Sequence, residues 1–105
     1  WLSGRGARVL ERRYRTRDGE IDLIVEAEAT LVFVEVKTRT SERFGRPAEA
    51  VDSRKRAALV RTAARFLQEH GWSDRTVRFD VVAVLADRPG RCRILHREAA
   101  FRPGE

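Results

Sequence analysis

The sequence predicts an α/β fold with a mixed β-sheet, on three observations. Two apolar segments, Ile21 to Glu26 and Leu31 to Lys37, flank a short connection and read as the arms of one β-hairpin. Further on, Val60, Ala63, Ala64 and Leu67 recur at i, i+3, i+4 and i+7, the spacing of one helix face. Another apolar run, Thr76 to Leu85, follows that helix, so strand, helix and strand form a crossover whose two strands run parallel. The expected order is an antiparallel meander, a crossover helix, a parallel strand and an edge strand.

Each element has its own justification. Arg8 to Arg15 sets Val9, Leu10 and Tyr14 among arginines and reads as an edge strand, with Thr16-Arg17-Asp18-Gly19 as the turn after it. In the second strand Ile21, Leu23 and Val25 are expected on one face and Glu20, Asp22, Ile24 and Glu26 on the other. In the third, Val32, Val34 and Val36 make one apolar face, opposite Leu31, Phe33, Glu35 and Lys37, as suits a central strand. Thr38 to Arg46 reads as a basic loop, and Pro47 suits a helix start. Asp52 or Ser53 caps a longer helix that runs to about His70 and ends at Gly71. After the fourth strand, Asp87-Arg88-Pro89-Gly90 supplies a turn into a short fifth strand, Cys92 to Arg97.

With 105 residues the chain has material for one core, so a single domain over residues 1–105 is expected. Its 42% hydrophobic content excludes a disordered polyelectrolyte, and no apolar run is long enough to span a bilayer. One cysteine, Cys92, excludes an internal disulfide and a thiolate zinc site, which fits a cytoplasmic protein. A formal charge of +6 points to a polyanionic partner such as nucleic acid, although a surface kept soluble by charge has the same composition. The chain opens at Trp1 and contains no methionine, and Trp1-Leu2 before Ser3-Gly4 reads as the end of a helix whose body is missing.

The chemistry concentrates on the hairpin. With Ala27-Glu28-Ala29-Thr30 as a four-residue loop and Glu26 facing Leu31, Asp22 falls opposite Glu35 and Glu20 opposite Lys37. Opposed like charges destabilise a strand pair by about 0.2–1 kcal/mol when exposed, a conflict that a bound cation removes. Mg²⁺ takes one or two protein carboxylates together with water and phosphate, so Asp22 and Glu35 are the candidate metal ligands. Lys37, two residues beyond Glu35 on the same face, is placed to orient or deprotonate a water or to offset charge on a phosphate. Of 22 basic residues 20 are arginine, and only Lys37 and Lys55 are lysine. Because arginine cannot give up its proton, a lysine beside the acids favours a functional role. Taken alone, Glu-x-Lys is weak evidence and favours a structural ion pair; the two strands and the facing aspartate tip the balance towards a metal site.

Gly19-Glu20-Ile21-Asp22-Leu23-Ile24, Leu31 to Arg39 and Phe44-Gly45-Arg46-Pro47-Ala48-Glu49-Ala50-Val51 together resemble the YraN-like family of uncharacterised bacterial proteins. The similarity continues through Arg54-Lys55 and Arg78-Phe79-Asp80-Val81-Val82. The resemblance implies a restriction-endonuclease-like core, similar to archaeal Holliday-junction resolvases and other PD-(D/E)xK nucleases. On that basis Asp22, Glu35 and Lys37 are the catalytic residues, and the Val36 carbonyl joins Asp22 and Glu35 as a metal ligand. The activity implied is hydrolysis of phosphodiesters with Mg²⁺ or Mn²⁺, with branched or structured DNA as substrate. The wider superfamily often adds an acid from a helix before the meander. That helix is expected to be missing here, which makes the domain N-terminally truncated.

Around these residues, Arg39, Arg43 and Arg46 in the loop and Arg54, Lys55 and Arg56 in the first helical turn form a candidate nucleic-acid track, with a solvated basic surface as the alternative. Asp80 reads as the partner of Arg78 and is left outside the site. His70 is expected to meet the last helical carbonyls, and His96 lies on the edge strand. Phe44 is read as a loop anchor or a stacking platform. Cleavage of two strands favours a symmetric homodimer by analogy. The alternative to an endonuclease is a nucleic-acid-binding module whose nuclease site is vestigial or completed by a partner.

Overall fold

The structure is a computed structural model that describes residues 6–39, 53–88 and 90–101, without the side chains of residues 39, 86–88, 91 and 92. Its elements are β1 (Ala7–Thr16), β2 (Gly19–Ala27), β3 (Thr30–Arg39), α1 (Ser53–His70), β4 (Val77–Arg88) and β5 (Arg91–Phe101). The five strands form one sheet in chain order. The pairs β1–β2, β2–β3 and β4–β5 are antiparallel, and β3–β4 is parallel. This is the expected α/β arrangement with a mixed sheet and, among the described residues, one helix. No helix among them is long and apolar enough to cross a membrane.

The β2–β3 register agrees with expectation, from Ala27↔Thr30 through Glu26↔Leu31 to Leu23↔Val34. The turn is tighter than the four-residue loop expected, because Ala27 and Thr30 already pair and Glu28 turns the chain in the left-handed region at φ +58°. The ladder stops at Leu23↔Val34, so Asp22 and Glu35 meet beyond its end. Glu20 does not face Lys37. It pairs instead with Arg15 across β1–β2, at 3.0 Å.

Facing α1, a core is built from Ile21, Ile24, Leu31, Phe33, Leu59, Ala63, Phe66, Phe79, Val81 and Phe101. Val25, Val32 and Val34 form a smaller cluster with Leu23 and Val36 packed against it. Ile21 and Ile24 thus share a core while Leu23 packs with the other cluster. The expected grouping of Ile21 with Leu23 and Val25 is overturned by a change of phase in β2 where the ladder to β3 opens. The helix is turned from its expected face: Leu59, Thr62, Ala63 and Phe66 are buried, Val60 and Leu67 pack at the margin, and Ala64 is exposed. Phe66 governs that rotation. Its ring meets Tyr14 and Phe33 edge-on, at centroid distances of 5.3 and 6.1 Å, and no other side chain of the stripe has comparable apolar area to bury. At Gly19, α1 crosses β2 so closely that a Cβ would lie 3.3 Å from Thr62 Oγ1 and 3.7 Å from the Ala58 Cβ.

Asp80, on the sheet face opposite Glu35, is fully buried. It accepts hydrogen bonds from Arg78 Nε and Nη2 at 2.9 and 3.0 Å and from the Ala99 N–H at 3.0 Å, and it lies 2.8 Å from His96 Nε2. The Arg78 partner matches expectation; the His96 contact does not follow from β-alternation alone. Between Phe79↔Phe101 and Val81↔Arg97 the β5 register slips, and Ala99 takes φ +48° where its N–H reaches Asp80.

Candidate functional site

Beyond Leu23↔Val34 the strands no longer pair through their backbones, and the Asp22 side chain takes over. Its Oδ2 accepts the N–H of Val36 at 2.7 Å. This aims the carboxyl at β3, where Glu35 points towards the α1 side of the sheet and is only 4% exposed. Lys37 follows on the same face, its Nζ 3.4 Å from Glu35 Oε2. The three candidate catalytic residues therefore come together. Val36 lies between Glu35 and Lys37, with its N–H held by Asp22 and its backbone in register with Val82 of β4.

From above, α1 contributes a fourth group. Lys55, in the first turn, sets its Nζ 2.9 Å from Glu35 Oε2, closer than Lys37. Despite these two ammonium groups, Oε2 is buried and accepts no aligned hydrogen bond. Burial pushes the Asp22 carboxyl up to about 6, and a hydrogen bond to Glu35 adds to the rise. Burial acts in the same direction on Glu35, but the hydrogen bond from Asp22 and the Lys55 and Lys37 charges together leave it below the usual carboxylate range. As pH falls, Asp22 is therefore the acid of the pair that takes up a proton first, while Glu35 stays ionised.

Two carboxylates of this kind, one with an oxygen lacking an aligned donor, fit a hard divalent cation in donor type. Among the described residues no group of three or more His, Cys, Asp or Glu side chains is placed to hold a metal ion. Protein ligation would thus rest on Asp22 and Glu35, joined by the Val36 carbonyl only in the role that the family resemblance gives it.

The candidate nucleic-acid residues divide. Lys55 belongs to the acid pair, Arg56 lies over the Phe101 ring at 5.5 Å, and Arg54 is exposed. Arg39 ends β3 in register with Leu85. Arg43, Arg46 and Phe44 lie outside the described residues, as do the Pro47 helix start, the Asp52 cap and the expected helix end at Trp1-Leu2. His70 places Nδ1 2.9 Å from the Phe66 carbonyl oxygen, as expected at a helix end. Sequence reasoning did not foresee that Lys55 approaches Glu35, although a signal was present: it is the only lysine besides Lys37 in a chain with 22 basic residues.

Fold and site together define an α/β protein whose mixed sheet opens at one seam to bring two adjacent acids under two lysines. The chain belongs to the uncharacterised protein family UPF0102, whose family model matches residues 1–84, and this bears out the resemblance to the YraN-like group. It is similar to a UPF0102 protein of Beutenbergia cavernae, 54% identical over 96 residues that cover 91% of this chain and 81% of that protein. A UPF0102 protein of Frankia alni is 49% identical over 100 residues, covering 95% and 83%. One from Moorella thermoacetica is 50% identical over 90 residues, covering 86% and 75%.

Proposed function

We propose that this protein is a metal-dependent DNA endonuclease with a restriction-endonuclease-like core, formed by one domain over residues 1–105, that hydrolyses phosphodiester bonds in branched or structured DNA. The observation that carries the reading is the convergence of Asp22, Glu35 and Lys37 on one spot, where a buried carboxylate oxygen lacks an aligned hydrogen-bond donor. An antiparallel meander leading through a helix to a parallel strand supports the core assignment.

In this reading Asp22 and Glu35 hold Mg²⁺ or Mn²⁺, with the Val36 carbonyl beside them. When bound, the cation polarises the phosphoryl group and acidifies a water. Asp22 serves as a ligand in its ionised form, and its bond to the Val36 N–H fixes the direction of its carboxyl. Lys37 orients the attacking water and offsets charge on the phosphate. Arg39, Arg43, Arg46, Arg54, Lys55 and Arg56 contact the DNA backbone. The substrate and a cytoplasmic location follow the family resemblance and the composition, and a symmetric homodimer would supply one site for each of two strands.

The test is cleavage of a four-way junction and a matched linear duplex with Mg²⁺ or Mn²⁺, by the wild type and by Asp22→Asn, Glu35→Gln and Lys37→Met. Metal-dependent cleavage that is lost in all three folded variants is the expected result. Equal cleavage by all four proteins overturns the reading. A second reading, a nucleic-acid-binding module whose nuclease site is vestigial or completed by a partner, draws on the formal charge of +6. Salt-sensitive DNA binding without nicking under every metal condition would select it.

A further inference from the structure

Lys55 stands where a cation is wanted. Its ammonium is 2.9 Å from Glu35 Oε2, the buried oxygen that accepts no aligned hydrogen bond, whereas Lys37 is 3.4 Å away. The two lysines are held very differently. Lys37 projects from a strand paired on β4, and its side chain is 18% exposed; Lys55 reaches down from the first turn of α1, and its side chain is 46% exposed. A positive charge in the first turn also opposes the helix dipole, and that turn contains no acidic residue to balance it. Of the two ammonium groups, Lys55 is the one already nearly half in water, so it has the shorter way out of the site.

We infer that Lys55 is a placeholder for the divalent cation: it neutralises Glu35 in the metal-free protein and is displaced when the ion binds between Asp22 and Glu35. The inference rests on the metal-site reading above and adds to it a moving part. An ammonium near a carboxylate satisfies charge without satisfying geometry, as the missing aligned bond at Oε2 shows. A hard dication with a demand for oxygen ligands competes well for that position. Lys37 stays in place. Metal loading then turns Lys55 from a partner of Glu35 into a cation at the helix N-terminus, facing the side from which a phosphate would arrive.

The experiment follows the wild type, Lys55→Met and Glu35→Gln by calorimetric titration with Mn²⁺ and by thermal unfolding in EDTA and in saturating Mn²⁺. Lysine-selective NMR of the wild type is recorded with and without Mg²⁺. The expected results are a lower Tm for Lys55→Met in EDTA, a gap that closes in Mn²⁺, and Mn²⁺ binding roughly tenfold tighter in that variant. On Mg²⁺ addition the Lys55 side-chain resonance moves further than that of Lys37. If the wild type binds Mn²⁺ and Glu35→Gln does not, while the Tm gap persists and the Lys55 resonance is unmoved, the placeholder is overturned and the metal site stands. If the wild type binds no Mn²⁺, or Glu35→Gln binds it equally, the metal-site reading fails and takes this inference with it.

Discussion

Asp22 Oδ2 accepts the N–H of Val36 at 2.7 Å just past the last β2–β3 ladder pair, so a side chain does there what a neighbouring strand's carbonyl would otherwise do. One carboxyl group thereby serves the sheet and the site at once, and substitutions at Asp22 separate the two duties.

Asparagine keeps an oxygen that can accept the Val36 N–H but removes the charge. At pH 7.5 and without metal, Asp22→Asn is expected to be as stable as the wild type or more stable by about 1 kcal/mol, since the native state favours the uncharged form of this group. Asp22→Ala strands the N–H and is expected to cost about 1–3 kcal/mol. Both variants lose Mn²⁺ binding. Urea denaturation and calorimetry check the pair.

The same carboxyl sets a pH dependence. Its folded value of about 6 lies above the ordinary 3.8, so between these limits the native state binds more protons than the unfolded chain. The stabilisation is fully present below about pH 4 and is lost as pH rises through 6. Glu35, held low, acts with the opposite sign: its contribution is present above the ordinary carboxylate range and lost as pH falls through its folded value. Metal-free stability is therefore expected to decline from mildly acidic pH towards neutrality, and to stay flat over that interval in Asp22→Asn. Denaturant midpoints from pH 4 to 7.5 measure this.

On the opposite face, Asp80→Ala would leave the Arg78 guanidinium, the His96 ring and the Ala99 N–H without their shared acceptor. The expected cost is about 3–5 kcal/mol, the range for breaking a buried charge pair. Because this cluster sits across the sheet from Glu35, the Mn²⁺ affinity of the folded fraction should stay unchanged. Chemical denaturation and calorimetry on one sample separate the two effects.

Two alanine-scale changes on α1 test the direction that the helix faces. Phe66→Ala removes a ring that is 1% exposed and is expected to cost about 3–5 kcal/mol. Ala64→Glu, at a position that helical spacing alone would bury, is expected to stay within about 0.5 kcal/mol of the wild type. Thermal unfolding of both variants checks the contrast.

Strand order and hairpin register were legible because they depend on periods of two and on a short loop, both local properties of the chain. Val32, Val34 and Val36 alternate with Leu31, Phe33 and Glu35, and one pairing alone buries both sets. Helix orientation was less legible: Val60, Ala63, Ala64 and Leu67 define a stripe, but Phe66 decides how the helix rolls, through contacts with Tyr14 and Phe33 from distant strands. Convergence of Asp22, Glu35 and Lys37 was expected from the register, but the ladder ends at Leu23↔Val34 and the bond from the Val36 N–H to Asp22 completes the approach. Lys55 joins them through a crossover of tertiary contacts, and the Asp80–His96 approach depends on β5 register, neither of which spacing along the chain encodes.

A last consequence lies at Gly19, where bare backbone lets the helix settle against the start of β2. Lys55, whose amine lies 2.9 Å from Glu35, is one turn before Ala58 on the same helix. A methyl group at position 19 would wedge the two elements apart by tenths of an ångström. Under the placeholder proposal, a residue with neither charge nor side chain would thus bear on the Lys55–Glu35 contact through the seating of the helix.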